Sequence, residues 1–320
     1  GVPCSANRWL LIETLQDRWG FDGVVITDWD NVGRMVREQY VAATMEDAVV
    51  RALTAGNHLI MATPEFYDAA IAAVEGGKIP VSTLDEAVRR VLLLKARLGL
   101  FEGKCDPSGG VSLRTPEALE LAEQAATESI VLCKNDGVLP SSPEDDRIAV
   151  VGSHASDRIA QLGDWSFGPR GSGYPEHLEY HQTTTTIAEG IKAVFGVAQT
   201  VISASDSIPD ALEASQDSDV VVLVVGDWIN EIGEMHDRAD LELRPSQRAL
   251  LRALADAPIR LITVVIASKP LLIGEVLAAS NAVLYAFNPG LQGGLAVANI
   301  LAGVANPSAR LPVTFPRHVG

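Results

Sequence analysis

The chain has 320 residues, 47% of them hydrophobic, and a formal net charge of −16. This length allows substantial cores and favours two domains over one. Nucleic acids and anionic membrane surfaces bind basic faces, so the acidity argues against both as partners and leaves neutral ligands open. The three cysteines are an odd number without metal-type spacing, which suggests neither a disulfide framework nor a zinc site: Cys4, Cys105 and Cys133.

The first predicted strand is β-branched, runs through Val24–Thr27, and leads directly into Asp28 and Trp29. In parallel α/β proteins, ligands bind and chemistry takes place at this carboxyl end of the strands. Trp29 adds a flat apolar face of the kind on which sugar rings stack. The alternative is a strand closed by a turn-forming Asp with a core Trp behind it.

Helices and strands alternate through residues 1–103, which suits the closing βα units of a barrel. The last helix has Thr83 and Glu86 as a predicted capping box and Gly99 as its stop. Residues 104–114 carry Gly and Pro with little apolar content and are predicted to be a linker. Thr115 then caps a further helix, with Pro116 at its first position.

The predicted second domain, residues 115–320, has continuous apolar runs that alternate with helical stretches. This is typical of buried parallel strands covered by helices on both faces. The predicted strands are 148–151, 220–225, 261–266 and 282–286, with helices at 246–254 and 291–301. A polar insert at 164–186 is rich in rings, Trp165 among them, and predicts either a sugar-contacting lid or a loop packed on its own aromatics.

Several motifs follow one another along nearly the whole chain: Gly1-Val2-Pro3, Arg18-Trp19-Gly20-Phe21-Asp22-Gly23, Ala55-Gly56, Lys134-Asn135-Asp136-Gly137, Asn288-Pro289-Gly290 and Asn306-Pro307-Ser308-Ala309-Arg310-Leu311-Pro312. In this order they resemble the segment around the catalytic nucleophile and the second domain of glycoside hydrolase family 3. The resemblance implies an α/β fold in which the terminal βα units of a TIM-like (β/α)8 barrel precede an α/β sandwich domain with a mostly parallel sheet. It also puts Asp28 at the nucleophile position.

A retaining glycosidase needs a second carboxyl group as acid/base. The loop after the strand at 220–225 resembles the acid/base loop of the family, and counting back from Arg238 puts Glu234 at that position. Glu231 is the alternative, three residues earlier. Trp228 lies in the same loop and, with Trp29 and Trp165, is a candidate sugar contact. In a purely structural interpretation, Asp227 only caps the strand and Asp237 forms a surface ion pair with Arg238.

The resemblance thus implies a retaining, exo-acting β-glucosidase that releases terminal non-reducing β-D-glucosyl residues from a small-molecule or oligosaccharide β-glycoside. Two carboxylates suffice, so no metal or organic cofactor is expected. Alternatives are a β-xylosidase, a natural-product glucosidase of the same family, or a catalytically incomplete fragment that only binds sugar. Val150-Val151-Gly152-Ser153 starts like a dinucleotide-binding turn but lacks the later glycines.

The earlier barrel strands of the family are not found in this sequence, so another chain or a preceding segment is expected to complete the barrel. No compartment is predicted, because the chain opens inside a motif and shows no targeting signal. His58 stands where the family motif usually has Asp.

Overall fold

The computed structural model describes residues 1–103, 114–163, 183–234 and 236–320. The chain divides into two compact units, Gly1–Val111 and Ser112–Gly320. This division falls within the segment predicted as a linker, of which residues 104–113 lie outside the described ranges. Among the described residues, no helix is both long and apolar enough to cross a bilayer.

The first unit is built mainly from helices. They are a π-type helix at Trp9–Arg18, α1 (Asn31–Arg37), α2 (Met45–Ala55), α3 (Phe66–Glu75) and α4 (Val81–Arg97). Helix α2 is central, and its buried face packs with α1 and α3 around residues such as Val32, Met35 and Val49. Thr44 caps α2 by accepting the Asp47 N–H, and Gly56 ends it at φ +104°.

The predicted strand before Asp28 forms only a single parallel bridge among the described residues, Ile26 to Leu59. Its backbone hydrogen bonds run from the His58 and Leu59 N–H groups to Val25 O at 2.9 and 3.1 Å, and from the Thr27 N–H to Leu59 O at 3.0 Å. Ile26 and Leu59 keep 48% and 42% of their surface exposed. A pair without further neighbours is a marginal sheet, which explains why the ladder stays short.

The predicted capping box of the last barrel helix is wrong. Helix α4 begins at Val81, directly after the extended Pro80, so Thr83 already lies inside its first turn. Glu86 instead accepts hydrogen bonds from the side chains of Arg89 and Arg90 on the same helix. The predicted stop is confirmed, because Gly99 follows the last turn in the left-handed region at φ +71°.

The described residues of the second unit form a six-stranded sheet. Its strands are β1 (Val131–Asn135), β2 (Ile148–Val151), β3 (Thr200–Ser203), β4 (Val220–Gly226), β5 (Arg260–Ile266) and β6 (Ala282–Tyr285). The strand order is β1-β6-β5-β4-β2-β3, with β1 antiparallel to β6 and all other pairs parallel. The α/β class with a mostly parallel sheet, and the four strands predicted from apolar runs, are confirmed. The two edge strands, β1 and β3, were not predicted.

Helices cover both faces of this sheet. They are α5 (Pro116–Ser129), α6 (Ile187–Phe195), α7 (Ile208–Ser215), α8 (Pro245–Ala255), α9 (Gly274–Ala279) and α10 (Gly293–Leu301). One core includes α5, α6 and α10 with Val220, Val222 and Val224, and the other includes α7, α8 and α9 with Val221, Leu223 and Val225. Alternate residues of β4 therefore enter opposite cores, which explains its uninterrupted apolar sequence.

Candidate active site

The predicted nucleophile lies on an exposed turn between the Ile26–Leu59 bridge and α1. The Asp28 carboxylate accepts the Trp29 N–H at Oδ1, at 2.6 Å, and its backbone carbonyl accepts the Asn31 N–H at 3.2 Å. Asp28 Oδ2 accepts no hydrogen bond from the described residues. Trp29 is 66% exposed, so it is not the core residue that the alternative interpretation of this segment predicts.

This turn is held from both sides. Asp30, at φ +49°, donates its N–H to Met61 O at 3.0 Å, and its carboxylate pairs with Arg37 and accepts the Thr63 hydroxyl at 3.1 Å. The Thr27 hydroxyl accepts the Met61 N–H at 2.9 Å. The backbone around Asp28 is therefore tied to the segment after the bridge by contacts that leave the Asp28 carboxylate at the surface.

His58 holds the other end of the same short strand. Its Nδ1 accepts the Val25 N–H at 2.9 Å, which requires that this nitrogen carry no proton. Burial, with Arg90 nearby, lowers the pKa of His58. A neutral imidazole thus supplies the acceptor that a carboxylate oxygen can also supply, which accounts for a His at a position where the family motif usually has Asp.

In the second unit, Glu231 is bound into the loop that follows β4. Its carboxylate accepts the Trp228 N–H at 3.1 Å and the Arg244 Nε–H at 2.9 Å. Burial raises the pKa of Glu231, but these two hydrogen bonds and the Arg244 charge outweigh it and hold the pKa below its usual value. A carboxylate held ionised in this way is a poor proton donor.

Glu234 is exposed in the same loop. The ion pairs near it differ from the surface pair of Asp237 with Arg238 that the sequence allowed. Arg238 does not pair with its neighbour Asp237 but with Asp227, which is only 2% exposed. Asp227 also pairs with Lys269 Nζ at 2.6 Å, so it is more than a strand cap.

The three tryptophans predicted to contact sugar have different surroundings. Trp29 presents an open face, as described above. Trp228 is half-buried, with the His154 ring centroid 4.7 Å from its own and the Arg244 guanidinium 5.6 Å above it. Trp165 lies outside the described residues. A sugar contact stays a prediction for all three.

Sequence reasoning missed two residues at this loop. His154 is fully buried after β2, and its Nε2 lies 2.9 Å from Asp227 O. Lys269 follows β5 by three residues. A Lys at the carboxyl end of a buried strand was the available signal. Gly152, in the turn that resembles a dinucleotide-binding loop, instead allows close packing, because an added Cβ would lie 2.4 Å from Val224 O.

The candidate catalytic and sugar-contacting residues are thus divided between the two units, with Asp28 and Trp29 in the first and Trp228, Glu231 and Glu234 in the second. Among the described residues, no cluster of three or more His, Cys, Asp or Glu side chains is arranged to hold a metal ion.

Two domains of a known family match the chain. Residues 1–94 match the N-terminal domain of glycosyl hydrolase family 3, and residues 130–320 match the C-terminal domain of that family.

Curated relatives span the whole chain. A β-xylosidase of Formosa agariphila is 31% identical over 100% of this chain and 46% of its own length. A lysosomal β-glucosidase of Dictyostelium discoideum is 32% identical over 100% of this chain and 41% of its own length. The chain therefore spans a little under half the length of these relatives.

Solved structures show the same coverage. A β-glucosidase involved in saponin metabolism from intestinal bacteria superposes with a TM-score of 0.85, at 36% identity, over 100% of this chain and 49% of its own. A β-glucosidase of Listeria innocua in complex with glucose gives a TM-score of 0.86, at 29% identity, over 99% of this chain and 43% of its own.

Proposed function

Because the chain belongs to glycoside hydrolase family 3, we propose that it carries the nucleophile and the acid/base of a retaining, exo-acting β-glucosidase. The observation that carries the proposal is the exposure of the carboxylates at the two predicted positions, Asp28 and Glu234. Two other acids of the same segments form ion pairs, Asp30 with Arg37 and Glu231 with Arg244.

The reaction would follow the double displacement of retaining glycosidases. Asp28 attacks the anomeric carbon and forms a glycosyl ester, while Glu234 gives its proton to the oxygen of the departing alcohol. Glu234, now a carboxylate, then takes a proton from water as the water oxygen attacks the anomeric carbon. That step releases the sugar, frees the Asp28 carboxylate and returns Glu234 to its acid form.

The surroundings of Glu231 argue against it as the proton donor and so favour Glu234. General acids at neutral pH need a proton that they can hold, and the lowered pKa of Glu231 works against this. The Glu231 carboxylate is also committed to the Trp228 N–H and Arg244. Its position is suited to shaping the loop.

Glucosides are the proposed substrates, since the relatives include proteins named β-glucosidase and a Listeria innocua enzyme solved with glucose. A β-xyloside is the second candidate, which the relative named β-xylosidase supports. Trp29, which is exposed beside Asp28, is a candidate to stack on a sugar ring; Trp228 and Trp165 are further candidates.

We propose further that turnover requires the rest of the barrel, supplied by another segment or chain. The exposed Ile26 and Leu59 support this, because a bridge at the end of a barrel sheet normally has strands beside it. The 320 residues alone are then expected to lack glycosidase activity. Cooperative folding and turnover of a β-glucoside by the isolated chain would contradict this.

Covalent labelling tests the nucleophile. An activated 2-deoxy-2-fluoro β-glucoside forms a glycosyl ester that breaks down slowly, so mass spectrometry of digested protein is expected to find the sugar on the peptide that contains Asp28. The preparation should include the remaining barrel strands.

The matched control is Asp30→Asn, which changes a neighbouring acid and is expected to keep the label. Asp28→Asn is expected to abolish it. Labelling that survives Asp28→Asn on a different acid would refute the assignment.

A further inference from the structure

The carboxylate of Asp227 lies at the end of β4, 2% exposed, and is held by two cations from different parts of the chain. Arg238 follows Glu234 in the loop, and Lys269 comes from the segment after β5. Burying a carboxylate is costly unless it is paired, and here both of its oxygens face a cation. We name this group of Asp227, Arg238 and Lys269 the charge clamp.

Each cation of the charge clamp also binds the backbone of the loop. Lys269 Nζ donates to Glu231 O at 2.8 Å, on the N-terminal side of Glu234. Arg238 Nη2 donates to Glu242 O at 2.7 Å, on its C-terminal side. Both flanks of Glu234 are therefore tied to one buried carboxylate.

Lys269 is itself fixed by the core of the sheet. The Tyr285 hydroxyl donates to Lys269 O at 2.5 Å and accepts the Leu271 N–H at 3.2 Å. Tyr285 is fully buried on β6, and its ring meets Phe287 and Phe315 edge-on, at centroid distances of 4.8 and 4.7 Å. The lysine thus transmits the position of β5 and β6 to the loop.

We propose that Lys269 is a positioning residue for the acid/base: through Asp227 and the Glu231 carbonyl, it sets where Glu234 meets the leaving-group oxygen. This inference rests on the proposed function. A buried ion pair is weak as a source of stability, because apolar replacements are often neutral, and so the clamp is better explained by the geometry that it imposes.

The test is Lys269→Met, which keeps the length of the side chain and removes its charge. Misplacing a catalytic group by about 1 Å costs roughly 100-fold in rate. We therefore expect kcat/KM, which reports on formation of the glycosyl ester, to fall about 10- to 100-fold on alkyl glucosides, whose leaving groups need a proton. On activated aryl glucosides, which need little protonation in that step, we expect kcat/KM to fall less than about 3-fold.

Two further variants are measured beside Lys269→Met, all in preparations that include the remaining barrel strands. Lys192→Met removes an exposed lysine from α6 and is expected to change neither rate. Lys269→Gln keeps a hydrogen-bond donor and is expected to show the same dependence on the leaving group with a smaller loss. It carries the test if Lys269→Met does not fold, as judged by thermal unfolding.

The outcomes separate this inference from the proposed function. If Glu234→Ala shows the leaving-group dependence and folded Lys269 variants do not, the positioning role is refuted and the proposed function stands. Equal losses on both substrate types would also refute it, since they indicate a structural role alone. If Glu234→Ala itself lacks the dependence, the acid/base assignment fails first.

Discussion

Replacing each loop glutamate by glutamine separates a structural carboxylate from a catalytic one. Glu231→Gln keeps the size of the side chain and one acceptor oxygen, but removes the charge that faces Arg244. Glu234→Gln removes the proton that the proposed mechanism transfers. The two glutamates lie three residues apart in one loop, so each variant serves as the control of the other.

The expected loss of stability in Glu231→Gln follows from its contacts. Hydrogen bonds to charged groups contribute about 1.5–3 kcal/mol each when buried. Here the Glu231 and Arg244 side chains are 18% and 39% exposed, so solvent screens the pair. We expect a loss of about 1 kcal/mol in the free energy of unfolding of the second unit, or roughly 2–4 °C in its Tm. Glu234 is exposed, and its replacement is expected to change stability by less than about 0.5 kcal/mol.

The pH dependence has a definite sign. Because the pKa of Glu231 is lower in the folded protein than the ordinary glutamate value of 4.5, its contribution to stability is present above pH 4.5. That contribution is lost as the pH falls through the folded pKa. The difference in Tm between wild type and Glu231→Gln should therefore be full at neutral pH and disappear in acid.

Thermal unfolding measured from neutral pH into acid, together with rates on alkyl and aryl glucosides, provides the assay. Glu234→Gln is expected to lower kcat/KM by about 10²- to 10⁴-fold on alkyl glucosides and much less on aryl ones, whereas Glu231→Gln should lower it only a few-fold on both. Added azide should partly rescue the second step in Glu234→Ala only. The reasoning would be refuted if Glu231 variants showed the larger loss on alkyl glucosides and the azide rescue, and Glu234→Gln were the less stable protein.

Three further predictions concern the folded scaffold. Protonation of His58 would remove the acceptor for the Val25 N–H. Wild type should therefore lose stability relative to His58→Asn as the pH falls below 6.5, the ordinary pKa of histidine. Measurements of Tm against pH test this, and equal profiles of the two proteins would contradict it. Gly294→Ala would place a Cβ 2.0 Å from Thr186 O and should cost more than about 2 kcal/mol in denaturant unfolding, whereas Gly274→Ala, with no atom within 4 Å, should be neutral or stabilising. Leu223→Ala removes a fully buried side chain of β4 and should cost about 2–5 kcal/mol by the same measurement; a loss below about 1 kcal/mol would mean that the core there is not packed as described.

Much of the second unit could be predicted from the sequence. Runs of Val, Ile and Leu such as Val220–Gly226 are buried on both faces, so they are recognisable without knowing which helix covers which face. The edge strands escaped prediction because one or both of their faces remain partly exposed, as in Thr200–Ser203, and their composition is correspondingly mixed.

Asp28 directly follows the predicted strand, and Glu234 lies in the loop after β4, eight residues past its end; their catalytic roles stay predictions. Local spacing nevertheless misassigned Thr83 and Glu86. A capping box needs the helix to begin directly after the Thr, whereas α4 begins at Val81, two residues before Thr83.

The electrostatic arrangement of the loop was decided by the tertiary structure alone. Arg238 has an acid next to it in sequence, yet it pairs with Asp227, 11 residues away. Lys269 binds the Glu231 carbonyl over 38 residues, and His154 meets the Asp227 carbonyl over 73. Because the Asp227 carboxylate is buried, its pairing with cations is energetically necessary. Which cations can reach it depends on the order of β2, β4 and β5 in the sheet. That order brings together strand ends that no local sequence pattern connects.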